Sequence, residues 1–108
     1  MRKAIVLNAD GTKSEMDLDS GNELKNLQDA VGGYVQVVYL KDDLAIWVNE
    51  DGKFTDLPIN SNATAIWNHF FGFTDFIVGN AVFTGGANDE GETIAISESM
   101  EEFVNSFA

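Results

Sequence analysis

The sequence predicts a single α+β domain spanning residues 1–108, with strands and helices in the order ββαββαβα. Three features of the sequence support this prediction. Some segments of strand length are apolar or alternate between apolar and polar residues, others carry apolar residues at helical spacing, and turn residues stand between them. A chain of 108 residues that is 44% hydrophobic can bury one core of ordinary domain size. It contains no cysteine, which excludes disulfides, thiolate metal sites and cysteine nucleophiles.

The N-terminal segment predicts a β-hairpin. Residues 4–7 form a continuous apolar run, Asp10-Gly11 is a favoured tight-turn pair, and Met16 and Leu18 alternate with acidic residues. The first strand is therefore expected to be buried on both faces, and the second to lie at a sheet edge with one face in solvent.

A first helix is predicted after this hairpin. Ser20 stands three residues before Glu23, which is the spacing of a capping box at a helix start. Leu24, Leu27 and Val31 then follow at helical spacing. Gly32-Gly33 is expected to end the helix, because glycine adopts the left-handed cap conformation at little cost.

The middle of the chain predicts a second hairpin and a second helix. Residues 34–40 and 44–48 are strand-like and are joined by a short turn. Residues 60–62, Asn-Ser-Asn, precede an apolar stripe at helical spacing that includes Ile66, and Gly72 follows that stripe. We therefore expect a helix of two to three turns to begin near Asn60.

The last third of the chain predicts a buried strand, an acidic loop and a C-terminal helix. Residues 75–86 are strongly apolar, and Gly79 within them indicates a bulge or a close backbone approach. Ser99 and Glu102 repeat the capping-box spacing ahead of an amphipathic C-terminal segment. We expect that segment to be a helix.

The first and fifth strands are the most continuously apolar, which suits neighbours at the middle of a sheet. Placing these two strands parallel produces a β-grasp-like (ubiquitin-like) arrangement, with one helix packed across a face. The C-terminal amphipathic helix would be an addition to it. Other antiparallel or mixed α+β sheets remain open at this point.

Acidic residues dominate the composition. Eighteen acidic and six basic residues produce a formal net charge of −12, and no lysine or arginine follows Lys53. Such a surface repels nucleic acid and anionic membranes, so neither is expected as a direct partner. It attracts a basic partner, although solubility alone also explains it. Asp89, Glu90 and Glu92 are the candidate contacts, and reversing all three to lysine is expected to abolish binding driven by charge.

Four further residues are candidates for binding. Capping and turn formation explain Asn60 and Asn62, and a small anionic ligand at the helix N-terminus is the alternative. His69 has neither a metal set nor a triad partner at a diagnostic spacing, which favours a packed or partly exposed helix histidine. Trp47 is expected to form an exposed contact patch with Tyr39, or else to be buried under the C-terminal helix.

No residue is predicted to be catalytic, to bind a metal or to hold a cofactor. The acidic run from Asp17 to Glu23 fails as a calcium loop, because Asn22 and Gln28 occupy the positions that need glycine and glutamate. The N-terminal apolar run is too short for a signal peptide or a membrane span. We therefore expect a soluble protein of the cytoplasm.

Four segments carry a resemblance to an uncharacterised family of small bacteriophage and bacterial proteins. They contain G-G-Y, N-E-x-G-K, L-P-x-N-x-x-A-T and I-x-G motifs and fall at residues 32–40, 49–54, 57–64 and 77–83. The resemblance covers roughly residues 24–85. It implies an accessory protein of a phage or mobile element, acting in the cytoplasm of a bacterial host, and it supplies no catalytic residues.

Two kinds of function follow as hypotheses. The first is a non-enzymatic, acidic binding module that inhibits or modulates a host protein, with anti-defence activity and DNA mimicry as versions of it. The second is a protein that sequesters a small molecule or nucleotide in pockets at an oligomer interface, such as that of a homodimer, near Asn60, Asn62 and His69. An enzyme is disfavoured because no acid–base or nucleophile constellation is visible.

Overall fold

A five-stranded antiparallel sheet forms the middle of the fold in a computed structural model, which describes residues 2–108. Its strands are β1 (Lys3–Leu7), β2 (Lys13–Asp17), β3 (Val35–Lys41), β4 (Leu44–Asn49) and β5 (Ala81–Thr84). The helices are α1 (Glu23–Val31), α2 (Ser61–Phe71) and α3 (Glu98–Asn105). This element order confirms the predicted α+β class, including the C-terminal helix.

The strands lie in the order β2-β1-β5-β4-β3, so β1 and β5 are neighbours at the centre, as predicted. Their predicted parallel orientation is wrong, because Ile5 pairs with Phe83 and Leu7 with Ala81 in an antiparallel register. An antiparallel bridge between Ile59 and Val78 explains the difference. The bridge joins the two ends of the segment that contains α2, and it lies at the end of the sheet where β4 finishes. β5 therefore begins at that end and runs antiparallel to β4.

Helices cover both faces of the sheet. On one face, α1 packs Leu27 and Val31 against a cluster that includes Val6 and Val82. On the other, α2 and α3 pack against a larger cluster that includes Ile5, Ile46, Ile66, Phe83 and Val104. The alternation of side chains along each strand divides the core in this way. None of the helices within residues 2–108 is long and apolar enough to cross a membrane.

The start of α1 differs from the capping-box prediction. Asn22, rather than Ser20, is the N-cap, and its side-chain oxygen accepts a hydrogen bond from the Lys25 amide at 3.0 Å. Gly21 precedes it with a φ of 82°, a left-handed conformation that no right-handed helix can include. The helix therefore begins only after Gly21, and it ends at Gly32 in the left-handed conformation, as predicted.

The start of α3 also lies two residues away from the predicted cap. Ser97, rather than Ser99, accepts the hydrogen bond from the Met100 amide, at 3.2 Å. The preceding residue, Ile96, donates its amide to the Lys3 carbonyl at 3.0 Å. Because this contact ties the chain to β1 up to Ile96, the helix begins immediately after it.

Candidate binding surface

Asn60 is a structural residue at the start of α2. It is 1% exposed, and its side-chain oxygen accepts a hydrogen bond from the Ala63 amide at 3.0 Å. Its amide nitrogen donates to the carbonyls of Leu7 and Gly79, at 2.8 and 2.9 Å. Both donor hydrogens are used inside the protein, which supports the capping interpretation and leaves no donor for a ligand.

Asn62 lies in a different setting, half-buried beside a small cleft. This cleft of about 210 Å³ is formed with the turn of the first hairpin, including Asp10 and Gly11. Hydrogen bonds from Thr12 lower the pKa of Asp10, so its carboxyl group is negatively charged at neutral pH. That charge opposes an anionic ligand at this place.

His69 is exposed in the last turn of α2 and contacts the aromatic residues of α3. Its ring lies 5.0 Å, centroid to centroid, from both Phe70 and Phe103. It stands nine residues after Asn60, which places the two about 13 Å apart along the helix axis. One small ligand therefore cannot contact both residues on the same chain.

Trp47 packs on the face of the sheet that α1 covers. Its indole nitrogen donates to the Thr84 hydroxyl at 2.9 Å, and the ring packs with the cluster around Leu27 and Val82. Burial under the C-terminal helix is therefore wrong, because α3 lies on the opposite face. Tyr39 lies on the same face as Trp47 and is 52% exposed, whereas Trp47 itself is half-buried.

Asp89, Glu90 and Glu92 are exposed in a tight loop that Asn88 organises. The Asn88 side-chain oxygen accepts hydrogen bonds from the amides of Glu90 and Glu92, both at 2.9 Å. The loop follows Gly86, which packs directly against the backbone of Asp42. The acidic loop thus lies at the end of the sheet where β3 turns into β4.

A second surface, which the sequence pattern does not indicate, carries exposed aromatic side chains. A cavity of about 200 Å³ opens between α2, the β3–β4 hairpin and two loops, and we call it the aromatic cleft. Its lining includes Gln36, Val38, Val48, Phe54, Trp67 and Phe76. Phe54 is 90% exposed and Phe76 47%, while Phe73 in the adjoining loop is 95% exposed. Grouped exposure of this kind marks interaction surfaces.

Local hydrogen bonds hold the walls of the aromatic cleft. On one side, the Phe54 amide donates to the Asp51 carbonyl at 3.0 Å, within a turn that presents the phenyl ring to solvent. On the other side, the Trp67 indole donates to the Thr74 hydroxyl at 3.0 Å. The Phe76 amide donates to its neighbour's carboxylate at 2.8 Å. The aromatic rings are therefore displayed from an ordered frame.

A lysine ammonium group lies at the mouth of this cleft. Lys53 forms an ion pair with Asp75, and its nitrogen lies 4.5 Å from the centroid of the Phe76 ring. The hydrogen bond from Lys53 lowers the pKa of Asp75. A carboxylate and an aromatic face together form a setting that favours a positive charge.

The aromatic cleft adjoins an uncharged sheet edge. Residues 35–40 of β3 carry no charged side chain, whereas three of the five residues of β2, at the opposite edge, are charged. Gln36 and Val38 belong both to β3 and to the lining of the cleft. Tyr34, just before the strand, is 68% exposed. An uncharged edge is open to pairing with another strand.

One sequence signal for this surface was present but ambiguous. Four phenylalanines stand at positions 70, 71, 73 and 76. The predicted helix ends at Gly72 and the predicted strand begins at residue 75, so the pattern assigns Phe76 to a buried strand and Phe73 to no element. Regular β-structure starts only at Ala81, so residues 72–76 form an exposed loop instead. Within residues 2–108, no group of three or more histidine, aspartate or glutamate side chains is placed to hold a metal ion.

A family model matches residues 1–108, the whole chain. The family is described as a domain of unknown function, DUF3846, which confirms the expectation of an uncharacterised family. Neither the comparison with curated proteins nor that with solved structures finds a match.

Proposed function

The chain belongs to the DUF3846 family, a domain of unknown function, and we propose that it is a non-enzymatic binding protein that modulates a protein of its host. The observation that carries this proposal is the exposure of Phe54 and Phe73, 90% and 95%, beside the aromatic cleft. Exposed aromatic rings in a fixed frame supply a large part of the binding energy in protein interfaces.

The charge distribution supports a basic partner. Five of the six cationic side chains form ion pairs with carboxylates of the same chain: Arg2 with Asp19 and Glu23, Lys3 with Glu15 and Glu101, Lys25 with Asp29, Lys41 with Asp43, and Lys53 with Asp75. These pairs use most of the positive charge, so acids outside them carry most of the net charge of −12. Such a surface accelerates association with a basic protein.

The resemblance to phage and bacterial proteins supports a bacterial host as the setting of this activity, and inhibition of a host defence protein is the most specific version of the proposal. The sequestering alternative has less support. Asn60 has no donor left for a ligand, and a site shared by Asn60 and His69 would have to be completed by a second chain. The aromatic surface supports contact with a protein rather than with a nucleotide.

Capture from a host lysate tests the proposal. The tagged chain is compared with Phe54→Ser/Phe73→Ser and with a control, Leu24→Ser/Ile94→Ser, which removes two exposed apolar side chains elsewhere. We expect native mass spectrometry to show a stoichiometric host protein on the wild type and the control, and at least tenfold less on the cleft variant. Thermal unfolding checks that all three chains fold. Capture of no protein, or equal capture by both variants, would refute the proposal.

A further inference from the structure

We infer that the aromatic cleft and the edge of β3 together bind an extended, basic segment of the partner protein, which pairs with β3 as a sixth strand and places a lysine or arginine side chain in the cleft. This inference rests on the proposed function and specifies the chemistry of the partner. Three observations carry it: the contrast between the two sheet edges, the position of the cleft, and the way in which the chain holds its own Lys53.

The edge of β3 is suited to pairing with an added strand. Within the described residues β3 pairs only with β4, so its outer backbone groups face solvent along a seven-residue strand. The other edge, β2, carries Lys13, Glu15 and Asp17, which oppose strand addition. Peptides that add to an exposed edge gain main-chain hydrogen bonds and place alternate side chains in pockets.

The aromatic cleft lies where those alternate side chains would reach. Gln36 and Val38 stand two residues apart on β3 and therefore point to the same face, into the lining of the cleft. A strand added beside β3 would lie about 4.8 Å away and present every second side chain to that face. The cavity of about 200 Å³ is smaller than a pocket for a drug-sized ligand and suits a single side chain.

The chain itself shows which chemistry the cleft accepts. The Lys53 ammonium group lies at the mouth, paired with the Asp75 carboxylate and 4.5 Å from the Phe76 ring centroid. Glu50 adds a second carboxylate to the lining. The lining therefore carries two carboxylates against one ammonium group. Because Lys53 already pairs with Asp75, a cation from a partner would be attracted by Glu50 and by the aromatic faces of Phe54 and Trp67.

Charge decides between the candidate occupants. A second copy of this chain would bring another net charge of −12 against the first. An acidic peptide would meet Glu50 and Asp75 at the cleft. A basic extended segment is attracted by both the cleft and the whole surface, so we assign it as the occupant.

Synthetic peptides test this inference on the full chain. Trp47→Phe leaves Trp67, in the lining of the cleft, as the one tryptophan, so its fluorescence reports occupancy directly. The probe is a capped nine-residue peptide of alternating valine and lysine. One matched peptide has glutamate in place of lysine, and another keeps every charge but is N-methylated at alternate backbone amides.

We expect the lysine peptide to shift Trp67 emission saturably and to slow hydrogen exchange of the β3 amides. It should bind at least tenfold more tightly than either matched peptide. Phe76→Ser should weaken it at least fivefold, while Leu24→Ser, on α1, should not. Equal binding of the N-methylated peptide would show attraction by charge without strand pairing and would overturn the inference. Equal binding of the glutamate peptide, or slowed exchange at β3 caused by self-association, would overturn it as well.

The two proposals can fail separately. If the lysine peptide does not bind while a host protein is still captured through Phe54 and Phe73, the inference about the basic segment is wrong and the proposed function stands. If no host protein is captured either, the proposed function is also wrong.

Discussion

The side-chain amide of Asn60 donates a hydrogen bond to the Leu7 carbonyl at 2.8 Å, joining the start of α2 to the end of β1 across 53 residues of sequence. The same nitrogen donates to Gly79, shortly before β5, at 2.9 Å. A serine or aspartate could cap the helix equally well, but neither could also donate two hydrogen bonds. Asparagine is needed here because one side chain joins the start of α2 to the central strand β1 and to the segment that leads into β5.

Replacing Asn60 by alanine should therefore cost more than the loss of an ordinary cap. Three backbone groups lose their partner in a buried place, which predicts a loss of about 2–4 kcal/mol in the free energy of unfolding. Urea denaturation measures it. Asn62→Ala, at a half-buried position next to it, is the matched control and should change stability by less than about 0.5 kcal/mol. Equal effects of the two substitutions would contradict this account of Asn60.

Among the glycines near the acidic loop, we predict that Gly86 tolerates replacement least. A Cβ atom there would lie 2.0 Å from the Asp42 carbonyl oxygen, which belongs to the backbone and cannot rotate away. Gly86→Ala should lower the free energy of unfolding by at least about 3 kcal/mol. Gly91→Ala is the control, because open space surrounds it and only its φ of 79° is unfavourable. Its expected cost is about 1–2 kcal/mol. A milder effect at Gly86 than at Gly91 would show that the β3–β4 turn yields readily.

The ion pair at the aromatic cleft predicts a specific titration. The hydrogen bond from Lys53 lowers the pKa of Asp75 below 3.8, the ordinary value for an aspartate. The stability contributed by this pair is therefore present above that pH and is lost as the pH falls through the lowered pKa. In a carboxyl-detected NMR titration, Lys53→Met should raise the midpoint for Asp75. Lys25→Met, which removes a different ion pair on α1, should leave that midpoint in place. An unchanged Asp75 midpoint in Lys53→Met would show that the pair does not persist in solution.

The acidic loop should affect the rate of association more than the lifetime of the complex. The sequence alone leads us to expect that reversing Asp89, Glu90 and Glu92 to lysine abolishes binding. The loop, however, lies at the Asp42 end of the hairpin, and the aromatic cleft extends toward its Asn49 end. Each acid-to-lysine substitution raises the net charge by 2, so the three together change it from −12 to −6. The rate of association with the captured partner should therefore fall by about three- to tenfold at low salt.

Surface plasmon resonance at low and high salt separates the two rates. We expect the dissociation rate of the triple variant to match that of the wild type, and its association rate to depend less on salt. Phe54→Ser/Phe73→Ser should show the opposite pattern, with faster dissociation. A strong increase in the dissociation rate of the triple variant would instead identify the acidic loop as the docking surface.

The parts of the fold that the sequence predicts correctly are those fixed by interactions between neighbouring residues. The turn at Asp10-Gly11, the end of α1 at Gly32 and the start of α2 at Asn60 all lie where the pattern predicts. Each depends on the backbone preference of one residue or on a hydrogen bond within three or four positions. The capping boxes predicted at Ser20 and Ser99 failed for different reasons. The left-handed conformation of Gly21 delays the start of α1 to Asn22, whereas the contact of Ile96 with the Lys3 carbonyl decides where α3 begins.

The sequence by itself determined the α+β class, the order of the elements, the central position of β1 and β5, and the acidity of the surface. Only the tertiary structure decided that β1 and β5 run antiparallel, that Phe54 and Phe73 stay outside the core, and that Lys53 meets Asp75. The physical reason is the range of the interactions. Patterns of apolar and turn residues act within one element, whereas strand direction, exposure and the cleft depend on segments that approach only after the chain has folded.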